Sequence, residues 1–285
     1  MLHWHTSKES LLANAVSTAK LRKNLENYIE LQPQLSGFCT VCDQPTIFRT
    51  DAGVHFGDHI NLREGLVCQR CSLGNRNRLL LGTLSQLCGL TPDIRLALLE
   101  ENSTFATIAK QRFEAIVTSE YLDHKFIPGT YHAFHNLSIR HESITELSYQ
   151  DAELDALVHN DVLEHVFDFK KALSESARVL KKGGITLFTT PVFVYQSEHL
   201  LRGSINKNGE ITHHLPPEYH GDTLRPEGVY TFHYFGPGIM DDLLEAGFSE
   251  AAIGVDYDAF TGFTSCNHPS ENDGNMMPIV IYGKK

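Results

Sequence analysis

Long apolar runs and a leader-like start are both missing from this sequence. None of its stretches approaches the roughly 20 consecutive apolar residues that a membrane-spanning helix needs. The opening residues, MLHWHTSKES, lack the basic start and the apolar stretch of a secretory signal. We therefore expect no membrane partner and a cytoplasmic, reducing setting.

Positive charge is scarce as well. The 285 residues carry 24 Lys and Arg against 35 Asp and Glu, which gives a formal net charge of −11. Because nucleic-acid binding draws most of its non-specific affinity from basic contacts to phosphate, a polyanionic partner would meet net repulsion. The charge balance favours a small or neutral partner over nucleic acid, and it leaves the oligomeric state open.

Cysteine is sparse, but four of the 6 cysteines form a regular pattern. Cys39, Cys42, Cys68 and Cys71 make two C-x2-C pairs with 25 residues between them. Two residues between cysteines let both thiolates of a turn face one tetrahedral ion, so two such pairs supply the four ligands of a structural Zn²⁺ site. The alternatives are a disulfide pair, which needs an oxidising compartment, and a redox C-x-x-C motif, which needs only one pair. The other two cysteines stand alone and are expected to be buried thiols.

The spacing of apolar residues predicts the order of helices and strands. Helices are expected over 7–31, 76–89, 103–112 and 238–246, with a further helix after residue 165 that ends at Gly183-Gly184. Strands are expected over 46–49, 64–67, 94–99, 115–119, 137–141, 154–160, 185–190, 251–255 and 278–282. The alternation from Asp93 onward is typical of an α/β fold with a parallel sheet. We expect a helical arm at 1–35, a zinc-binding module at 36–80 and a catalytic domain at 81–285, in which 195–235 is a polar loop or cap.

The run from 154 to 193 has the most specific pattern. It combines an apolar strand, the motif D-V-L-E-H, a helix, the motif R-V-L-K-K-G-G and a second strand that ends at Pro191. This order resembles the second half of class I S-adenosylmethionine (SAM) methyltransferases of the type-11 kind, and the resemblance covers about 93–285. It implies a Rossmann-like class I methyltransferase sheet with flanking helices, and SAM as the cofactor. The segment L-R-E-G-L-V-C-Q-R-C…N-R-N-R resembles zinc-binding lead-ins found before some bacterial methyltransferase domains, so a small zinc-binding module is expected ahead of the sheet.

The resemblance also implies a cofactor site at the carboxyl ends of the parallel strands. Glu120, after the second strand, would accept hydrogen bonds from both ribose hydroxyls. Glu142 would accept from the adenine amino group, and the turn at Asn160 and Asp161 would line the methionine end. The loop at 98–105 contains no glycine, whereas the family usually has a glycine-rich loop there. The expected cofactor-binding residues are Glu100, Ser103, Thr104, Glu120, Tyr121, Glu142, Asn160, Asp161 and His165.

The polar stretch after Pro191 is expected to bind the acceptor. It is rich in histidine and contains the run H-H-L-P-P-E-Y-H-G-D. A general base contributes about 10²–10⁴-fold to the methylation of a hydroxyl, and His199 or His220 is expected in that role, with Tyr195 as a further catalytic residue. The expected acceptor-binding residues are Arg202, His213, His214, Tyr219 and Asp222. A second metal site and a solvated loop without chemistry are the alternatives for this stretch.

These patterns together predict a SAM-dependent methyltransferase with a structural zinc. The acceptor oxygen or nitrogen would belong to a polar small molecule or a sugar-like compound. Two other functions stay open. One is RNA methylation, which requires a basic face, and the other is an interaction protein that kept the fold and lost the cofactor, as the missing glycines permit.

Overall fold

The computed structural model describes residues 2–50, 55–56, 58–89, 93–134, 137–222, 224–265 and 276–285. Its helices are α1 (Lys8–Glu30), α2 (Asn75–Cys88), α3 (Thr104–Arg112), α4 (Phe169–Val179) and α5 (Ile239–Glu245), and a 3-10 turn spans Leu163–His165. Its first ten strands are β1 (His3–His5), β2 (Gln34–Cys39), β3 (Gln44–Arg49), β4 (His55–Phe56), β5 (His59–Ile60), β6 (Val67–Cys68), β7 (Leu96–Leu98), β8 (Ile116–Thr118), β9 (Tyr131–Phe134) and β10 (Leu137–Arg140). The other strands are β11 (Leu154–Asn160), β12 (Leu180–Thr189), β13 (Leu200–Leu201), β14 (Gly203–Ile205), β15 (Ile211–His213), β16 (Tyr219–His220), β17 (Val229–Tyr230), β18 (His233–Tyr234), β19 (Glu250–Val255) and β20 (Ile279–Lys284). None of the helices in these ranges has both the length and the apolar character that a membrane crossing requires.

A seven-stranded sheet in the order β1-β19-β20-β12-β11-β7-β8 forms the centre of the fold. Pairs among β8, β7, β11 and β12 are parallel, whereas pairs that involve β20, β19 or β1 are antiparallel. β11 lies in the middle because its apolar residues are buried on both faces, and such a strand needs cover on both sides of the sheet. The predicted α/β class with a Rossmann-like sheet is confirmed.

Two apolar cores cover the two faces of the sheet. Leu157 and Phe188 pack in one core with α4 and α5, and Val158 and Leu187 pack in the other with α2 and α3. Successive strand residues therefore alternate between the cores, as the pleat requires. The second core also contains Phe48 and the other apolar residues of the cysteine segment. The expected boundaries at 35/36 and 80/81 stay predictions, and apolar packing is continuous across the second of them.

Helix α4 ends earlier than its two following glycines predicted. The helix closes at Val179, and β12 begins at the next residue, so that Gly183 and Gly184 lie inside the strand. The register between β11 and β12 shifts at this point, and Gly183 has φ +82°. A Cβ on Gly184 would lie 2.9 Å from the carbonyl oxygen of Lys181. The glycines therefore permit a β-bulge, and the prediction that they end the helix was wrong.

The segment at 137–141 does not add a third parallel strand to the central sheet. β10 pairs antiparallel with β9 in a separate hairpin, and only His141 forms a parallel bridge, with Glu120. β10 has two exposed residues, one half-buried residue and one buried residue, so it does not suit a position that is covered on both faces. The predicted strand is therefore present at Leu137–Arg140, but apart from the single bridge it does not pair with the central sheet.

Residues 195–235, which we call the insert, contain short strands where a loop or cap was predicted. β13 pairs with β18, β14 with β15, and β16 with β17, all antiparallel. The N–H of Phe232 donates to the carbonyl oxygen of Glu164 at 2.7 Å, and Val192 forms a bridge with Phe235. The insert therefore lies on the carboxyl ends of β11 and β12, where ligands bind in open α/β sheets.

Helix α1 carries a buried carboxyl group. The side chain of Glu26 has 0% exposure, and it accepts hydrogen bonds from Tyr257 Oη at 3.1 Å and from Ser265 Oγ. Burial raises its pKa to about 7 despite these hydrogen bonds and the nearby charge of Arg22. The folded state thus favours the protonated form of Glu26 more strongly than the unfolded state does.

A raised pKa in the folded state means that the contribution of Glu26 to stability is complete below the unfolded pKa of about 4.3 and is lost as the pH rises through about 7. We expect Glu26→Gln to raise the free energy of unfolding by about 1–3 kcal/mol at pH 8, and to change it little at pH 5. Urea unfolding at the two pH values measures this difference. Glu9→Gln, at an exposed position of the same helix, is the control. An equal effect of Glu26→Gln at both pH values would contradict the assignment.

Candidate active site and cysteine cluster

The four cysteines of the sequence pattern meet in one cluster. All four sulfur atoms lie within 4.8 Å of one another. The Sγ–Sγ distance is 3.9 Å between Cys39 and Cys71, and 3.9 Å between Cys42 and Cys68. Zn–S bonds of about 2.3 Å in a tetrahedron place sulfur atoms about 3.8 Å apart, so the cluster has the dimensions of a four-thiolate metal site. The described cysteines are free thiols, and Cys266 lies outside the described residues.

A buried arginine lies next to the cysteine cluster. The guanidinium of Arg78, in α2, donates to the carbonyl oxygens of Leu66 at 3.0 Å and Gly262 at 2.8 Å. It also lies 4.2 Å from the ring centroid of Phe48. Burial lowers the pKa of Arg78, while negative charge on the cysteines acts to raise it. The arginine thus reduces the electrostatic cost of bringing several thiolates together.

Two arginines of the cysteine segment reach the end of β11. Arg63 donates to the two carboxylate oxygens of Asp161 at 2.7 and 2.8 Å. Arg76 donates to Asn160 Oδ1 and, in a bidentate pair at 2.8 Å, to Glu64. Burial acts to raise the pKa of Asp161, but the charges of Arg63 and Arg76 hold it well below its ordinary value. Asn160 and Asp161, expected at the methionine end of the cofactor, are thus bonded to protein side chains.

The sequence patterns assigned no role to these arginines. Arg63 and Arg76 appear in the motifs L-R-E-G and N-R-N-R, which were noted only as part of a zinc-binding lead-in. Arg63 has 6% exposure, which is rare for arginine. In the sequence, the two arginines beside the cysteine motif are the feature that could have indicated these ion pairs. That feature does not show which acids the arginines bind.

Removal of the charge of Asp161 would leave the two guanidinium groups of Arg63 and Arg76 with Glu64 as the carboxylate that both still contact. We expect Asp161→Asn to lower the free energy of unfolding by about 3 kcal/mol or more, because breaking a buried ion pair leaves an uncompensated charge. Asp151→Asn is the matched control, since Asp151 pairs with Arg178 and its side chain is 81% exposed. Denaturant unfolding measures both variants. Equal, small losses in the two variants would contradict a central role for Asp161.

Two acids lie at the ends of the neighbouring strands β7 and β8. Glu120 Oε1 accepts from the backbone N–H groups of Glu101 at 3.0 Å and Asn102 at 3.1 Å, so it holds the glycine-free loop in place. Glu100 follows β7, and its Oε2 is buried without a hydrogen-bond partner among the described residues. Burial raises the pKa of both acids. The structure therefore brings together the two acids that were expected near the cofactor.

The other expected cofactor residues near these acids differ in their surroundings. Glu142 is buried, and its carboxylate accepts from Ser148 N–H at 2.9 Å and from a guanidinium of β10, so it is bonded within the protein. Ser103 caps α3, and its Oγ accepts from the N–H of Ala106 at 3.0 Å. Thr104 and Tyr121 are exposed at the same edge of the sheet. Their roles in cofactor binding stay predictions.

The insert contains a half-buried carboxylate, that of Glu218, which contacts three polar side chains. Glu218 forms contacts of 3.1 Å with His220 Nε2 and of 3.1 Å with Arg202 Nη2, and it accepts from Tyr234 Oη. Burial acts to raise its pKa, but the hydrogen bonds from His220 and Tyr234 lower it to about 2. Burial acts to lower the pKa of His220, and the hydrogen bond to Glu218 leaves it above its ordinary value. Glu218 therefore stays ionised and orients the imidazole of His220.

The D-V-L-E-H motif faces this imidazole. Glu164, His165 and His220 each place a ligand atom within 4.8 Å of the others. Glu164 is fully buried and accepts from Thr190 Oγ1 at 2.8 Å, and His165 Nδ1 lies 2.9 Å from the carbonyl oxygen of Tyr230. The fold thus places His165, which was expected to bind the cofactor, next to His220, which was expected to be catalytic. Glu164 belongs to the motif, but its spacing alone assigned it no chemistry.

The other two expected catalytic residues lie elsewhere in the insert. His199 Nε2 contacts Asp242 at 2.6 Å, and its Nδ1 accepts from Gly236 N–H at 3.0 Å, so both ring nitrogens are bonded within the protein. Tyr195 lies in the segment after β12 and is 39% exposed. His220 is the one of the three that contacts the motif at the end of β11.

The expected acceptor-binding residues are spread over the insert. Asp222 binds Arg225 at 2.7 Å, and Arg225 donates to the carbonyl oxygen of Leu122 at 3.0 Å, which joins the insert to the segment after β8. Arg202 is buried against Glu218. The expected residues that are exposed are His213, His214 and Tyr219. Their contact with an acceptor stays a prediction.

Comparison with known proteins finds matches in the part of the chain that contains Glu120. Residues 101–188 match a family model described as a methyltransferase domain. The chain is 42% identical over 55 residues to a probable S-adenosylmethionine-dependent methyltransferase from Mycolicibacterium smegmatis, which is 19% of this chain and 21% of that protein. It is 31% identical over 134 residues to the mitochondrial ubiquinone biosynthesis O-methyltransferase from Homo sapiens, 46% of this chain and 32% of that protein. The matches thus span about a fifth and a third of these curated relatives.

The comparison with solved structures matches proteins that are described as methyltransferases. One is an S-adenosylmethionine-dependent methyltransferase from Mesorhizobium loti, with 13% identity, a TM-score of 0.42, and coverage of 73% of this chain and 98% of that one. Another is the 1,6-didemethyltoxoflavin-N1-methyltransferase from Burkholderia thailandensis, with 14% identity, a TM-score of 0.40, and coverage of 74% and 78%. The sequence matches, over the residues they cover, confirm the resemblance to type-11 methyltransferases that the motifs predict.

Proposed function

We propose that this chain, which carries a methyltransferase domain at residues 101–188, transfers a methyl group from SAM to an oxygen or nitrogen of a polar small-molecule or sugar-like acceptor. The observation that carries the proposal is the pair of acids at the ends of β7 and β8. Glu100 has a buried carboxylate oxygen without a partner in the described part of the chain, and Glu120 lies beside it. An unsatisfied buried acceptor costs free energy, which a ligand with hydroxyl donors would recover. The acids therefore fit the ribose of SAM.

SAM supplies a methyl group that its positive sulfur has already activated. The protein then has to bind and align the two reactants and to exclude water from them. Glu100 and Glu120 would hold the ribose, and the insert would cover the strand ends through the Asp222–Arg225 pair. The acceptor would lie between the insert and the end of β11. Alignment of the two reactants supplies up to roughly 7–11 kcal/mol in the best intramolecular cases.

The cysteine cluster is proposed to bind a structural Zn²⁺. Cys39, Cys42, Cys68 and Cys71 would supply all four ligands, which leaves no open position for a substrate. Support comes from the sulfur–sulfur distances and from the buried guanidinium of Arg78 beside the cluster. A four-thiolate site requires reduced cysteines, and we therefore propose a reducing, cytoplasmic setting.

The ribose site is tested by calorimetry with SAM and with S-adenosylhomocysteine. We expect Glu120→Ala to weaken the binding of both by at least about tenfold, because two hydrogen bonds to a charged acceptor are lost. Glu120→Gln keeps an acceptor for the loop amides and should also weaken binding. Glu114→Ala, at an exposed position before β8, is the control. Unchanged affinity in both Glu120 variants would refute the site.

The titration with SAM, together with a measurement of RNA binding, distinguishes the competing functions. A wild-type chain that does not bind SAM near millimolar concentration would be the interaction protein that has lost its cofactor. Tight RNA binding that falls steeply with salt would favour RNA methylation instead.

The zinc site is tested by metal analysis. We expect Cys42→Ser to remove about one equivalent of tightly bound Zn²⁺ per chain and to lower the free energy of unfolding by at least about 3 kcal/mol, because metal binding is coupled to folding. Cys88→Ser is the control, since Cys88 is a half-buried thiol outside the cluster. Elemental analysis and urea unfolding measure both effects. Retention of full zinc content in Cys42→Ser would disprove the four-cysteine site.

A further inference from the structure

A second group of metal-binding side chains lies between the end of β11 and the insert. Glu164, His165 and His220 offer one carboxylate oxygen and two ring nitrogens within 4.8 Å of one another. Glu164 and His165 belong to the 3-10 turn after β11, and His220 belongs to β16 of the insert. We call these three residues the Glu-His-His cluster. It joins the sheet to the segment that covers the strand ends.

Glu164 is the residue of this cluster that most requires a partner. Its side chain has 0% exposure. Oε2 accepts from Thr190 Oγ1 at 2.8 Å, but Oε1 is buried without a hydrogen-bond partner in the described residues. His165 Nε2 lies 3.9 Å from Oε1, which is too long for a hydrogen bond. A buried acceptor without a partner costs about 1–3 kcal/mol, and more when it is charged, so a cation bound here would be stabilised.

The contacts of the two histidines leave one ring nitrogen of each free to bind a metal. His165 Nδ1 lies 2.9 Å from the carbonyl oxygen of Tyr230, which can only accept, so Nδ1 carries the proton. His220 Nε2 lies 3.1 Å from the carboxylate of Glu218, so that nitrogen is the donor as well. The other nitrogen of each neutral imidazole then has a lone pair. Metal-binding histidines commonly donate their second N–H to a carbonyl or a carboxylate in this way.

We infer that the Glu-His-His cluster holds a divalent transition-metal ion that binds the oxygen of a hydroxyl-bearing acceptor. The role in acceptor binding rests on the proposed function. Two imidazoles and one carboxylate suit Zn²⁺ and neighbouring first-row metals better than Mg²⁺ or Ca²⁺. Three protein ligands leave coordination positions open, in contrast to the closed four-cysteine site.

The chemical consequence is an activated hydroxyl acceptor. A hydroxyl oxygen bound to such an ion loses its proton more readily, and this proton leaves to solvent. The bond between the methyl carbon and sulfur breaks as the bond to the acceptor oxygen forms, and the electron pair of the broken bond stays on sulfur. His220 is then a metal ligand and not the general base that the sequence pattern favours.

A cobalt titration without SAM or acceptor tests this site. Protein with its cysteine cluster filled by Zn²⁺ is titrated with Co²⁺, and visible absorption and metal content are recorded. We expect about one further equivalent, with the weak bands of nitrogen and oxygen ligands and no thiolate-to-metal charge transfer. His220→Ala and Glu164→Gln should each weaken Co²⁺ binding by at least about tenfold, the size of effect that even an outer-shell change produces. The His220 side chain is 34% exposed, so its removal leaves the core intact.

His124→Ala is the matched control, because this side chain is 91% exposed and lies outside the cluster. Co²⁺ binding equal to that of the wild type in the control, with loss in the two cluster variants, supports the site. A wild-type chain that takes up no Co²⁺ beyond the cysteine cluster, or uptake that survives both cluster variants, overturns it. The Co²⁺ titration contains no SAM, so it tests the metal site independently of the proposed methyl transfer. A chain that binds SAM but no further Co²⁺ contradicts the metal site and not the proposed function. A chain that binds Co²⁺ but no SAM contradicts the proposed function and not the metal site.

Discussion

The arrangement of the strand ends depends on the buried carboxylate of Asp161. Its backbone has φ +49°, which non-glycine residues rarely adopt, and Thr189 Oγ1 donates to the side chain at 2.8 Å. The same carboxylate and that of Glu64 each pair with Arg63 and Arg76, so the two acids together balance the two guanidinium groups. Without Asp161, one buried positive charge would stay uncompensated at a high electrostatic cost. This single charge balance therefore holds the turn after β11, and it also holds the segment from which the arginines come.

The cysteine cluster affects the strand ends through that segment. Arg63 lies shortly before Cys68, and Arg76 lies in the first turn of α2, shortly after Cys71. The N–H of Arg76 also donates to the carbonyl oxygen of Arg63 at 3.1 Å, so the two arginines share one backbone arrangement. A metal ion in the cluster would restrict this arrangement without any contact to a reacting atom. The cysteine segment thus positions Asn160 and Asp161 through the side chains of Arg63 and Arg76.

The insert completes the site from the other side. Glu218 orients His220 toward Glu164, and Arg225 bonds the insert to the segment after β8. The cysteine segment and the insert, which are far apart in the sequence, thus meet at the carboxyl ends of the parallel strands.

Local spacing in the sequence determined much of this protein. The C-x2-C pairs, the cap of α3 at Ser103, the period of α1 and the alternation of strands and helices after residue 93 depend on neighbours within a few residues. The β-bulge at Gly183 depends on the pairing of β12 with β11, which the glycine pattern does not show. The strand at 137–140 pairs with the neighbouring β9 and not with the central sheet, and the apolar pattern of a strand does not show which partner it takes. Only the tertiary structure decided which ionised groups meet. Arg63 binds Asp161 across 98 positions of sequence, and the partner of a buried charge is set by packing between distant segments, which periodicity and composition do not record.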